Sequence, residues 1–214
     1  MIIKCKFYLI LLMLTTFLFG QPLKGIGFKS GLVTSNQNWE ISESDMNIYD
    51  ENFYGFYFGI SYDLMEFSYF SSNFEIAYTQ KGMAEEFYTN EVNPDEQLYI
   101  DTKTKTLRDR IDNISLAIYG NLKFETNFLT PYFLIGPRLD IQINRHLEIG
   151  ALSSEFKKYI YGFSFGGGIL IHTFSKHDLV LEITSSPNIN KLYKTESLKV
   201  SNYSYEVKLG IKLK

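Results

Sequence analysis

The sequence predicts an all-β chain, an eight-stranded antiparallel up-and-down transmembrane β-barrel. Three observations carry that prediction. Eight segments sort their residues onto one apolar and one polar face with the two-residue period of a strand. The links between them alternate long and short. An export-type segment opens the chain, and no later stretch approaches 18 uninterrupted apolar residues, so helical spans are not expected.

The chain opens with Lys4 and Lys6, runs apolar from Phe7 to Phe19 and closes that run at Gly20-Gln21. A basic start, a thirteen-residue apolar core and a small residue at its end match a secretory signal peptide spanning 1–20. A membrane anchor would need roughly 20 apolar residues. The barrel domain is therefore expected over 21–214. Cys5 is the one cysteine and falls in the segment removed, which leaves no disulfide or thiolate metal site. Without Lys4 and Lys6 the balance is 19 basic residues to 24 acidic, which argues against a nucleic-acid partner. Aromatics at 16% with five prolines favour strands.

The first segment, Gly25–Val33, sets Ile26, Phe28 and Leu32 against Gly27, Lys29 and Gly31. The second, Phe53–Asp63, opposes Tyr54, Phe56, Phe58, Ile60 and Tyr62 to Gly55, Tyr57, Gly59 and Ser61. In the third, Asn73–Gly82, Phe74, Ile76 and Tyr78 face away from Glu75, Ala77, Thr79 and Lys81. The fourth, Asn113–Glu125, separates Ile114, Leu116, Ile118, Leu122 and Phe124 from Ser115, Asn121, Lys123 and Glu125. The fifth, Tyr132–Asn144, separates Phe133, Ile135, Leu139, Ile141 and Ile143 from Arg138, Asp140, Gln142 and Asn144. Pro137 removes a ladder donor there, so a kink or bulge is expected around Gly136-Pro137.

The sixth segment, Tyr159–Thr173, places Tyr159, Tyr161, Phe163, Phe165, Ile169 and Ile171 opposite Gly162, Ser164, Gly166, Gly168 and His172. The seventh, Asp178–Ser186, places Leu179, Leu181 and Ile183 opposite Asp178, Glu182 and Thr184. In the eighth, Ser201–Lys214, Tyr203, Tyr205, Val207, Leu209, Ile211 and Leu213 oppose Asn202, Ser204, Glu206, Lys208, Gly210, Lys212 and Lys214. No Asp, Glu, Lys or Arg stands in any apolar row. Slipping the last strand by one residue would turn Glu206 and Lys208 into lipid, where a basic side chain costs about 2–4 kcal/mol at the midplane.

The links 34–52, 83–112, 145–158 and 187–200 are long, whereas 64–72, 126–131 and 174–177 are short. Outer-membrane barrels have long outer loops and short periplasmic turns. Alternation at Leu98–Leu107 reads as a hairpin continuing above the membrane, because both its faces are polar. Trp39, Tyr49, Phe53 and Tyr54 read as the outer aromatic girdle. The acidic stretch Glu40–Glu51 reads as a solvated loop.

Four motifs stand out: Lys24-Gly25-Ile26-Gly27-Phe28-Lys29-Ser30-Gly31, Glu75-Ile76-Ala77-Tyr78-Thr79-Gln80-Lys81-Gly82, Pro131-Tyr132-Phe133-Leu134-Ile135-Gly136-Pro137 and Phe165-Gly166-Gly167-Gly168-Ile169. In these the chain resembles the Bacteroidetes-type outer-membrane β-barrel family, of the PorT-like kind. Two departures stand out: Ser115-Leu116-Ala117 where the family often has Glu-Ile-Pro, and an end on Leu213-Lys214 rather than an aromatic residue. The resemblance implies an eight-stranded barrel in the cell outer membrane, reached after export. Fold alone does not fix activity.

The inward charges Lys29, Glu75, Lys81, Lys123, Arg138, Asp140, Glu182, Glu206, Lys208 and Lys212 carry both signs. An eight-stranded barrel is just wide enough for side chains to fill, so they are expected to pair into a plug rather than line an ion path. His146, His172 and His177 lack metal-ligand spacing and read as solvated. Gly166-Gly167-Gly168 lacks the Lys-Ser/Thr of a phosphate loop and reads as a close backbone approach. The expected function is non-enzymatic, with no catalytic, cofactor-binding or metal residue singled out and no cofactor. The expected partners are outer-membrane lipid and an envelope protein met through outer loops or periplasmic turns, with no nucleic acid. The alternative is a lipid-modifying barrel enzyme using His146 with Ser153 or Ser154 beside Glu155.

Overall fold

The structure is a computed structural model, and it describes residues 25–41, 51–92, 100–148, 156–173, 176–195 and 198–213. Its strands are β1 (Ile26–Ile41), β2 (Phe53–Glu66), β3 (Phe70–Val92), β4 (Ile100–Lys123), β5 (Leu129–Leu147), β6 (Tyr159–His172), β7 (His177–Ser185), β8 (Tyr193–Lys194) and β9 (Leu198–Leu213). Every pairing is antiparallel. Neighbours follow chain order from β1 to β7, β7 pairs with β9, and β9 pairs with β1 to close the ring. Eight long strands thus form the barrel. The two-residue β8 pairs with β9 above β7, through Tyr193↔Val200 and Lys194↔Lys199.

Closure satisfies the backbone without edges, which is what hydrocarbon demands. The alternation of side chains is as the sequence implies. On β9, Leu209 is 62% exposed while its neighbour Lys208 is 0% exposed. Phe56, Phe58, Ile60, Phe133, Ile135, Phe163, Phe165 and Ile183 join the same outward belt. From Tyr203 to Leu213 that belt is eleven residues long on β9, about what a tilted strand needs to cross a bilayer. A water-soluble maleimide should therefore fail to label single cysteines at Tyr205, Val207 or Leu209 in native envelopes; ready labelling there would refute the orientation of the belt.

Three expectations need correction. Pro137 causes no slip, because Ala117↔Arg138 and Gly120↔Ile135 keep one register across it and Pro137 points outward. The irregularity on β4–β5 lies higher, between Asp112 and Asn113, where β5 carries Ile143 as the extra residue. Trp39 and Phe53 are not in the girdle: both are buried, whereas Tyr54 at 76% exposure does stand outside, and Tyr49 lies outside the described residues. The barrel also rises further than the alternation suggests. β1 runs on to Ile41 against Leu198, and β3–β4 continue to Val92↔Ile100, in agreement with the expected upper hairpin.

The glycine run does mark close approach. A Cβ on Gly166 would lie 2.1 Å from the Ile183 carbonyl oxygen. One on Gly168 would lie 2.4 Å from the Tyr132 ring, which leans over that glycine into the lumen.

Candidate functional site: a charge-paired lumen under an apolar lid

The inward rows of β1, β3, β7 and β9 bring Lys29, Glu75, Glu182, Glu206 and Lys208 together at mid-height. Lys29 Nζ donates to Glu75 Oε2 and Glu182 Oε2, both at 2.8 Å. Lys208 Nζ lies 3.1 Å from Glu182 Oε1, 3.0 Å from Glu206 Oε2 and 3.7 Å from Glu75 Oε1. The same ammonium sits 4.5 Å from the centroid of the Tyr57 ring, a cation–π contact. The Tyr132 hydroxyl donates to Glu182 Oε2 at 2.9 Å, and Thr184 Oγ1 to Glu206 at 3.0 Å.

Above this knot, Asp140 accepts from Lys81 at 2.9 Å and from the Ser115 hydroxyl at 2.6 Å, and it forms an ion pair with Arg138, whose Nε lies 3.0 Å away. Arg138 also donates to Ser164 Oγ, to the Ser186 carbonyl and to Asn188 Oδ1. Across the two clusters, four cations meet four carboxylates. Charges removed from water persist when each has an opposite partner, and here each does, several with further hydrogen bonds.

Towards the short-turn end, Lys123 reaches Glu66 at 3.2 Å, and Lys212 reaches Asp63 at 2.6 Å. Between them and the knot lies a polar cavity of about 40 Å³, bordered by Ser61, Asn73, Asn121 and Lys29. That is space for a few waters. All ten charges anticipated from the sequence therefore point inward, and all but the partly exposed Lys212 are buried.

The long-loop end is closed differently. Trp39, Met83, Ile111, Phe156, Ile160, Leu192 and Val200 form one buried apolar cluster across the barrel mouth. The Trp39 and Phe156 rings lie 6.3 Å apart. Arg145 holds Phe156 in place: it donates to the Phe156 carbonyl at 2.5 Å and to Gln142 at 2.8 Å, and its guanidinium lies 5.9 Å from the Phe156 ring centroid. Lys157 N donates to the Leu192 carbonyl, and Leu192 N to that of Val200, so both inserted segments are tied down. Sequence periodicity missed this lid because Phe156 and Leu192 come from links, where alternation carries no signal.

Among the described residues, a paired knot below a greasy lid leaves no continuous aqueous path. Planar-bilayer recordings of the purified protein should show no steady open level, and long-lived ohmic openings would overturn the packed-lumen account.

The histidines are placed separately. His146 is exposed on β5 opposite Arg110, while Ser153, Ser154 and Glu155 lie outside the described residues. His172, expected to be solvated, is instead engaged: Nδ1 lies 3.2 Å from Asp178 Oδ1 and Nε2 2.9 Å from Thr130 Oγ1. Carboxylate, imidazole and hydroxyl in series is the order of an activated nucleophile. Yet Thr130 is 2% exposed, which denies a substrate carbonyl the approach it would need. The trio works as a staple across β5, β6 and β7. His177 is exposed. Among the described residues no group of three or more His, Cys, Asp or Glu is placed to hold a metal ion.

No protein-family model and no curated protein sequence matches the chain, so the PorT-like resemblance stands on its residues alone. Among solved structures the chain is similar to Neisserial surface protein A, at 15% identity and a TM-score of 0.43, covering 87% of this chain and 96% of that one. It is similar to OprG from Pseudomonas aeruginosa at 11% identity and a TM-score of 0.47, covering 89% and 96%. It is also similar to the outer membrane protease OmpT from Escherichia coli, at 8% identity and a TM-score of 0.41, covering 89% and 97%. In each case the likeness is one of fold, to an outer-membrane β-barrel.

Proposed function

We propose that the protein is a non-enzymatic integral outer-membrane barrel that serves as a docking or assembly component of the cell envelope. The observation that supports this reading is the β3–β4 hairpin above a sealed lumen. Among the described residues, β3 beyond Ala84 and β4 before Asp109 pair only with each other. Eight residues of extended chain carry that ribbon roughly 25 Å past the barrel wall. Among the described residues its outer backbone edges carry no further strand, and strand addition to such an edge is a common way to capture an extended segment of a partner. A lumen packed with paired charges favours the outer surfaces, rather than the interior, as the working part.

The narrower reading, a PorT-like role in secretion or surface assembly, is supported by the sequence resemblance alone. A photo-crosslinking residue at Glu86, Thr104 or Thr106 should capture a discrete envelope protein in intact cells, and the same residue at the periplasmic turn position Phe67 should not. Equal or absent capture from both ends would remove the outer docking role.

A further inference from the structure

The outer rim is electrically lopsided. On the β6–β9 flank, Lys194 of β8 and Lys199 of β9 are direct cross-strand partners, and Lys199 is in turn the partner of Glu40 on β1. All three are exposed on the outward face, whereas the next row, Trp39, Val200 and Tyr193, belongs to the lid. Lys191 bonds Glu40 at 2.8 Å and holds that carboxyl below its usual range. The Lys157 N–H to Leu192 O bond brings Lys157 and Lys158 alongside, and both are exposed. Five lysines thus meet one carboxylate among the described residues; Glu155 and Glu196 adjoin them in sequence outside those residues.

Like charges set directly opposite on paired strands destabilise the pair. A chain that is acidic overall nevertheless places Lys194 against Lys199, so an anion from outside is the natural complement. The height of the patch indicates which anion. Directly below it, Tyr159, Tyr161, Tyr203 and Tyr205 face outward, the aromatic level at which a bilayer's headgroups begin. Lysine stems lie along apolar surface while their ammonium groups reach the headgroup layer. We infer that Lys157, Lys158, Lys191, Lys194 and Lys199 form a docking site for the phosphorylated headgroup of an outer-leaflet glycolipid. Lys191 alternates between Glu40 and the ligand, and the Lys194–Lys199 pair grips phosphate oxygens as two point charges.

This inference rests on the outer-membrane residence proposed above, but its test is made in uncharged detergent, so the two fail separately. Native mass spectrometry would follow the folded protein titrated with phosphorylated lipid A and with enzymatically dephosphorylated lipid A. Wild type should bind the phosphorylated form at least tenfold more tightly. The variant with all five lysines changed to Gln should lose that preference, whereas Lys105→Gln with Arg108→Gln on the β3–β4 hairpin should keep it. Should the fivefold variant not fold, as read from heat-modifiable gel mobility, Lys194→Gln with Lys199→Gln alone should weaken binding several-fold. Retained preference in these variants, equal binding of dephosphorylated lipid A, or equally tight binding of inorganic phosphate or of an anionic polysaccharide without acyl chains would each overturn the site.

Discussion

Glu182→Ala should cost the barrel about 3–5 kcal/mol, the scale for removing one partner from a buried ionic cluster. Glu182 accepts from Lys29, Lys208 and the Tyr132 hydroxyl at once, so its loss strips all three of an acceptor. Lys208 is wholly buried and cannot turn to water. Glu182→Gln keeps the shape and one acceptor oxygen, and it should fall between wild type and Ala. Adding Lys208→Met to Glu182→Ala should recover part of the loss, since it removes one of the stranded cations. Urea unfolding in detergent micelles would give these differences. A cost below about 1 kcal/mol for Glu182→Ala would mean that the knot is wet and loosely coupled.

Trp39 offers the second large effect. It is the one tryptophan of the chain, so its fluorescence reports on the lid alone. A Trp in the girdle would be quenched by brominated lipid and could be truncated at little cost. Buried among Met83, Phe156 and Leu192 at 6% exposure, Trp39 should resist both brominated lipid and aqueous acrylamide. Trp39→Ala should destabilise the barrel by about 3–5 kcal/mol, the range for emptying a large aromatic site. Phe156→Ala should then raise acrylamide quenching of Trp39, because the two rings cover one another. Strong quenching by brominated lipid in wild type would return Trp39 to the exterior and dissolve the lid.

How far the sequence reaches is visible in single residues. Lys29 and Lys81 were legible as inward because each stands in an alternating row whose other face is wholly apolar. The same reasoning stops at Val33 and Gly82, although β1 and β3 continue to Ile41 and Val92. Above the membrane the outer face meets water and part of the inner face meets the apolar lid, so the apolar-out, polar-in contrast is lost while the ladder itself goes on. Pro137 looked disruptive by type alone. Its outward position and an unbroken register made it harmless, and the extra residue went to Ile143. His172 looked free because Thr130 lies far away in the chain on β5, and Asp178 comes opposite it only once the β6–β7 turn closes.

The sequence by itself determined the barrel, its inward and outward faces and the ten lumen charges that stand in its alternating rows, whereas buried Asp109 and Asp112 lie beyond those rows. Those follow from a two-residue period set against lipid, and lipid penalises any other register. Only the tertiary structure decided which lysine meets which carboxylate, that Trp39 turns inward to meet Phe156, and that Lys194 lies across from Lys199. These pairings join residues far apart in the chain or brought together by a link, and they depend on the strand order that closes the ring. No local pattern encodes them.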